Sequence, residues 1–193
     1  MRIGLFFGSF NPIHTGHLII AQHLLNSTDL EKIWLVVSPH NPLKEKASLA
    51  RDNDRLYMAQ IAVEDHPNIT VSNIEFSLPQ PSYTIDTLTH LREKYPQHDF
   101  ALIMGADNVI SLPKWKNYEL LLDKYKVYIY QRSGSALVDV PLAKHPALIF
   151  IETPLLDLSS TLIRSLIKAG KSVRYMVPDK VYEELQLTQL YKH

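Results

Sequence analysis

The sequence predicts an α/β domain: a doubly wound, mainly parallel sheet with helices on both faces. Three observations carry that prediction. Six short apolar runs show little polar alternation, as strands covered on both sides do. Segments with helical periodicity lie between them. Strand and helix taking turns along a chain is the pattern of βαβ units, whose crossovers are right-handed.

The elements follow in order. The first run, IGLFFG at 3–8, ends in a glycine and leads through Ser-Phe-Asn-Pro into a periodic stretch at 16–25. A strand is expected at 33–38, then a loop rich in proline and lysine at 39–48, then a helix at 52–64. The run ITVSNIEF at 69–76 reads as the third strand, before a second surface loop at 77–82 and a helix at 84–95. Strands at 100–105, 126–131 and 148–153 complete the set, with a short helix at 118–124. Two helices close the chain, at 160–169 and, behind Pro178, at 179–187. No repeat, low-complexity stretch or linker interrupts this order. Residues 1–193 therefore read as one Rossmann-like domain with a small helical part from about 160. Both surface loops would leave the C-terminal ends of strands, where open α/β sheets bind ligands.

Composition narrows the function. Apolar residues make up 46% and charged residues 21%, ordinary for a soluble globular protein. Twenty basic side chains balance twenty acidic ones, so no large nucleic-acid or anionic-membrane surface is advertised. The absence of cysteine excludes a disulfide framework, a thiolate metal site and a cysteine nucleophile. No segment approaches the ~20 apolar residues of a membrane span, and the run at 3–7 is too short for a signal-peptide core. The expectation is a cytoplasmic protein with neither nucleic acid nor membrane as partner. A homo-oligomeric state is left open.

The stretch GSFNPIHTGH, 8–17, is not one that packing demands. Thr15 reads as a helix N-cap, with Gly16 and His17 in the first turn. Free N–H groups and the positive end of the helix dipole favour an anion there. Gly8 lets a ligand approach the backbone, and His14 and His17 can point at one phosphate. Phosphoryl and nucleotidyl transfer need such donors, because catalysis there is mostly positioning and charge stabilisation. An H-x-x-H pair can also ligate zinc, but no third ligand of the usual type lies close and no glutamate follows His14. No dedicated metal cage is expected.

A second cradle stands at 158–170, LSSTLIRSLIKAG. Ser159 or Ser160 caps a helix whose Leu162, Ile163, Leu166 and Ile167 face the core, and Gly170 suits its stop. Three hydroxyls and Arg164, whose planar fork fits phosphate oxygens, make a polyanion site. Alone, this is also ordinary capping with a solvated arginine.

Together the two segments resemble the nucleotidyltransferase superfamily that carries an H-x-G-H signature and a C-terminal S-S/T-x-x-R helix start. Within it the chain resembles the bacterial nicotinate-mononucleotide adenylyltransferases. SYTIDTL at 82–88, MGADN at 104–108, Lys114-Trp115, SSTLIR at 159–164 and RYMVPDKV at 174–181 follow in that family's order. The resemblance implies adenylyl transfer from ATP, with its Mg²⁺, to nicotinic acid mononucleotide, giving deamido-NAD and pyrophosphate. It implies that Gly8, the Ser9 and Phe10 backbone, His14 and His17 surround the ATP phosphates. Ser160, Thr161 and Arg164 would hold the departing pyrophosphate, and Gly105 and Asp107 the ribose. Catalysis falls to His14, His17 and Arg164. For the mononucleotide it implies Trp115 under the pyridine ring, the Tyr83–Thr84 turn at its carboxylate and Lys44 at its phosphate. Leu43 stands where family members often carry a histidine. Read alone, Trp115 could be a core anchor, Asp107 a helix cap and Lys44 a solvated loop residue. The rival readings are nicotinamide mononucleotide or pantetheine phosphate as acceptor, and a nucleotide-sensing module without turnover.

Overall fold

The structure, a computed structural model, describes residues 1–39, 49–131, 140–154 and 157–192. Its strands are β1 (Arg2–Gly8), β2 (Lys32–Val37), β3 (Ile69–Ser72), β4 (Asp99–Gly105), β5 (Val127–Tyr130) and β6 (Leu148–Ile151). They form one sheet in the order β3-β2-β1-β4-β5-β6, every neighbouring pair parallel. This is the doubly wound order. The chain reverses direction across the sheet between β1 and β4, which places a crevice at their C-terminal ends.

The helices are α1 (Thr15–Ser27), α2 (Asp52–Val63), α3 (Thr84–Lys94), α4 (Tyr118–Lys124), α5 (Ser160–Lys168) and α6 (Asp179–Leu187). Strand side chains alternate between two cores, because successive residues of a strand face opposite ways. Ile33, Leu35, Val37, Ala101 and Ile103 pack with α1, α2, α5 and α6 on one face. Leu5, Val36, Phe100, Leu102 and Ile129 pack with α3 and α4 on the other. Burial on both faces is why these strands read as nearly continuous apolar runs.

Three expectations need correction. The strand foreseen at 69–76 stops at Ser72, whose hydroxyl accepts the Ile74 N–H at 3.3 Å, and residues Ile74–Ser77 form a 3₁₀ turn. The cap of α1 is His14, with extended φ −145° and ψ 166°, and Thr15 is the first helical residue. Thr15 is occupied elsewhere: its N–H donates to the Met176 carbonyl at 2.9 Å. Finally, Leu162 is 39% exposed, so Ile163 alone of α5 is fully buried, with Leu166 and Ile167 partly so.

At α5 the sequence left two caps open, and the structure selects Ser159, whose hydroxyl accepts the Leu162 N–H at 3.2 Å. Its other end closes on Gly170 at φ +67°, with Gly170 donating to the Ile167 carbonyl and Lys171 to Leu166. That is a Schellman stop, for which glycine's missing Cβ is the natural choice. At the N-terminal rim of the sheet, Arg2 joins Asp99 at 2.7 Å and also pairs with Asp29, which accepts the Tyr128 hydroxyl. Burial, with Asp29 taking its hydrogen bond, pushes the Tyr128 hydroxyl up to about 12.

Candidate active site

The loop after β1 turns sharply. Phe10 adopts φ 42°, the left-handed region that side chains with a Cβ rarely enter. Its ring is 1% exposed and fills the space beside Gly8, where a Cβ would stand 2.9 Å from Cζ. A side chain at Gly8 would therefore press on the Phe10 ring, a packing reason for glycine that stands beside the expected one. The ring then packs edge-on against Phe6, with centroids 6.0 Å apart, and against His17 at 5.0 Å.

His17 stacks on His14 with ring centroids 3.7 Å apart and planes 27° from parallel. The His14 backbone N–H donates to His17 Nδ1 at 3.2 Å. A nitrogen that accepts carries no proton, so the network assigns the His17 proton to Nε2. Both rings are nearly buried, 4% and 8% exposed. Gly16 makes room for the pair, since a Cβ there would lie 3.0 Å from His14 Nδ1.

The start of α5 lies directly on this loop. Ser160 Oγ donates to the Pro12 carbonyl at 2.9 Å, and Arg164 Nη1 to the Asn11 carbonyl at 2.8 Å. Arg164 Nη2 reaches Thr161 Oγ1 at 3.4 Å. Two helix starts about 150 residues apart in sequence therefore share one surface. The Ser160 and Thr161 N–H groups, at the first two helical positions, have no intrahelical acceptor.

The family model described as cytidylyltransferase-like matches residues 5–166. A protein of Flavobacterium johnsoniae named "Probable nicotinate-nucleotide adenylyltransferase" is 50% identical over 192 residues, covering 100% of both chains. One of Cytophaga hutchinsonii with the same name is 49% identical, covering 99% of this chain and 98% of its own. The chain belongs to the nicotinate-nucleotide adenylyltransferase family. A solved structure, Plasmodium falciparum nicotinic acid mononucleotide adenylyltransferase complexed with NaAD, matches with a TM-score of 0.83, covering 98% of this chain and 97% of that one. At 21% identity that likeness shows the fold.

The other residues expected from the adenylyltransferase motifs fall on the same edge of the sheet or beside it. Gly105 ends β4, next to β1, and Asp107 follows it in a 3₁₀ turn. A Cβ at Gly105 would stand 2.4 Å from Asp107 Oδ1, so the glycine gives the carboxylate its place. Tyr83 caps α3 and Thr84 begins it. Lys116 Nζ sits 5.0 Å from the Tyr83 ring centroid and 2.7 Å from Asp86, which brings the 115–116 turn to the start of α3. Trp115 packs against the α3 and α4 core and stays half-buried. Lys44 lies outside the described residues.

Sequence reasoning missed two buried charged groups. Arg55 is 0% exposed, and donates to the Ser9 carbonyl, to Ser38 at 2.9 Å, to Pro39 at 3.1 Å and to Ala50 at 3.1 Å. Asp52 pairs with it at 2.6 Å. It ties the loop after β1 to the chain leaving β2. The signal was there: Arg55 shares a helical stripe with Met58 and Ala59, so a cation stood on an apolar face. Glu75, 3% exposed, accepts the Thr87 hydroxyl at 3.0 Å and bonds the Ser38 and Ser82 hydroxyls. Burial outweighs those bonds and raises its pKa.

Proposed function

We propose that this chain transfers the adenylyl group of ATP to nicotinic acid mononucleotide, forming deamido-NAD and pyrophosphate. The observation that carries the reading is the meeting of the two motifs, Arg164 on the Asn11 carbonyl and Ser160 on that of Pro12. Full-length relatives at half identity bear the name of this activity. An oxygen of the mononucleotide phosphate attacks the α-phosphorus in line, and the bond from that phosphorus to the α–β bridging oxygen breaks. Pyrophosphate leaves. The attacking phosphate is ionised at neutral pH, so no protein base is needed.

MgATP is the substrate, its ion held by phosphates and waters, which Mg²⁺ surrenders reluctantly. His17, through Nε2, and His14 stabilise charge that develops at the α-phosphate, and Arg164 with the Thr161 N–H receives the pyrophosphate. The Phe10 N–H shares a peptide with the Ser9 carbonyl that Arg55 holds, so its direction is fixed before ATP arrives. Gly105 and Asp107 take the ribose hydroxyls. Tyr83, Thr84 and Trp115 take the pyridine carboxylate and ring, and Lys44 the mononucleotide phosphate. A chain without cysteine suits a reducing compartment, and no helix among the described residues is long and apolar enough to cross a membrane. We place the activity in the cytoplasm.

The test supplies ATP and Mg²⁺ with nicotinic acid mononucleotide, nicotinamide mononucleotide or pantetheine phosphate, and follows dinucleotide by mass and pyrophosphate release. Preference for the nicotinate acceptor is expected. Preference for pantetheine phosphate would overturn the role of Trp115. ATP binding with no pyrophosphate from any acceptor would leave a sensing module.

A further inference from the structure

Asn11 is the point where three distant parts of the chain meet. It is 2% exposed. Its side-chain Oδ1 accepts the Ala50 N–H at 3.1 Å and the Tyr191 hydroxyl at 2.7 Å. Its main-chain oxygen accepts Arg164 Nη1 at 2.8 Å. Tyr191 follows α6 and comes from 180 positions away in sequence. It sits at φ 64°, a conformation costly for a residue with a Cβ, which persists only where the surroundings impose it.

We propose that Tyr191 is a positioning residue of the adenylyl-transfer site: its hydroxyl holds Asn11, and the Asn11 carbonyl in turn aims the guanidinium of Arg164. The proposal rests on the function proposed above. The two halves of the side chain do separate jobs. The ring packs against the core on the face covered by α1, α2, α5 and α6. The hydroxyl is a fixed donor: burial raises its pKa, against the pull of the Arg55 and Arg164 guanidiniums, so the phenol keeps its proton at neutral pH. A hydroxyl that served packing alone would not need to end on the residue that orients a phosphate-binding arginine.

Tyr191→Phe separates the two jobs. It keeps the ring, and Asn11 Oδ1 keeps the Ala50 N–H, so the variant folds and its Tm stays close to the parent's. ATP affinity, read by calorimetry without any acceptor, should fall roughly three- to tenfold, the factor one hydrogen bond is worth. In steady state kcat/KM for ATP should fall by a similar factor while KM for nicotinic acid mononucleotide holds. In an Arg164→Lys background the same change should do less, because the fork it aims is gone. Unchanged ATP affinity, or a loss equal in both backgrounds, would overturn the proposal. If the parent binds ATP yet makes no dinucleotide, the proposed reaction fails, and the calorimetric comparison still decides for or against Tyr191.

Discussion

Arg164 donates through Nη1 to the main-chain oxygen of Asn11 at 2.8 Å, a contact that spans 153 positions of sequence. Nη1 is committed to the fold and Nη2 reaches Thr161 Oγ1 at 3.4 Å, so two of the guanidinium's five N–H donors are used within the chain and the others remain for a ligand. Arg164→Gln should therefore lower kcat on the order of 10²–10³-fold, the scale for removing one charge-stabilising donor. Arg164→Lys keeps the charge without the fork and should recover only part of that. Steady-state rates with saturating mononucleotide check both, and a Gln variant with parental kcat would remove Arg164 from catalysis.

His17 is the second test. Its ring is packed between Phe10 and His14, so His17→Ala should cost about 0.5–3 kcal/mol in stability. The variant still folds, and its turnover at a temperature well below Tm should drop about 10²–10³-fold. Turnover that tracks the stability loss and nothing more would make the ring a spacer.

Arg55 should matter most to folding. Arg55→Met leaves four backbone carbonyls without its donors and removes the partner of Asp52, whose side chain is 45% exposed. A loss of about 1–3 kcal/mol for each carbonyl that finds no other donor is expected from urea unfolding. A loss under about 1 kcal/mol would mean that water takes over those carbonyls.

Glu75 gives a pH dependence with a definite sign. Burial raises its pKa above the ordinary 4.5, so the folded chain binds that proton more tightly than the unfolded one. Its contribution is therefore complete below pH 4.5 and is lost as pH rises from there through the folded value. Glu75→Gln should flatten this part of the stability profile and gain on the parent at neutral pH. Parallel profiles from denaturant melts between pH 4 and 8 would assign the dependence to other groups.

How much of this was written locally in the sequence can be judged element by element. The six strands were legible because both faces are covered, and a covered strand needs apolar residues throughout. The third was overrun because Asn73-Ile74-Glu75-Phe76 continues the apolar pattern, while the turn that ends it depends on the Ser72 hydroxyl and on a pocket for Glu75. The two phosphate-type motifs were legible since a helix start needs caps and small residues in fixed order. Thr15 was misread as a cap because its true acceptor, Met176, is far away in the chain. Arg55, Glu75 and Tyr191 were missed for the same reason, their partners being set by the way the chain crosses itself.

The Arg2, Asp29, Asp99 and Tyr128 network holds the opposite end of the sheet from the histidines and Arg164. The ionic rim and the chemical site are thereby lodged at different poles of the sheet. Substitutions in that rim can change its charge without altering any contact made by His14, His17 or Arg164.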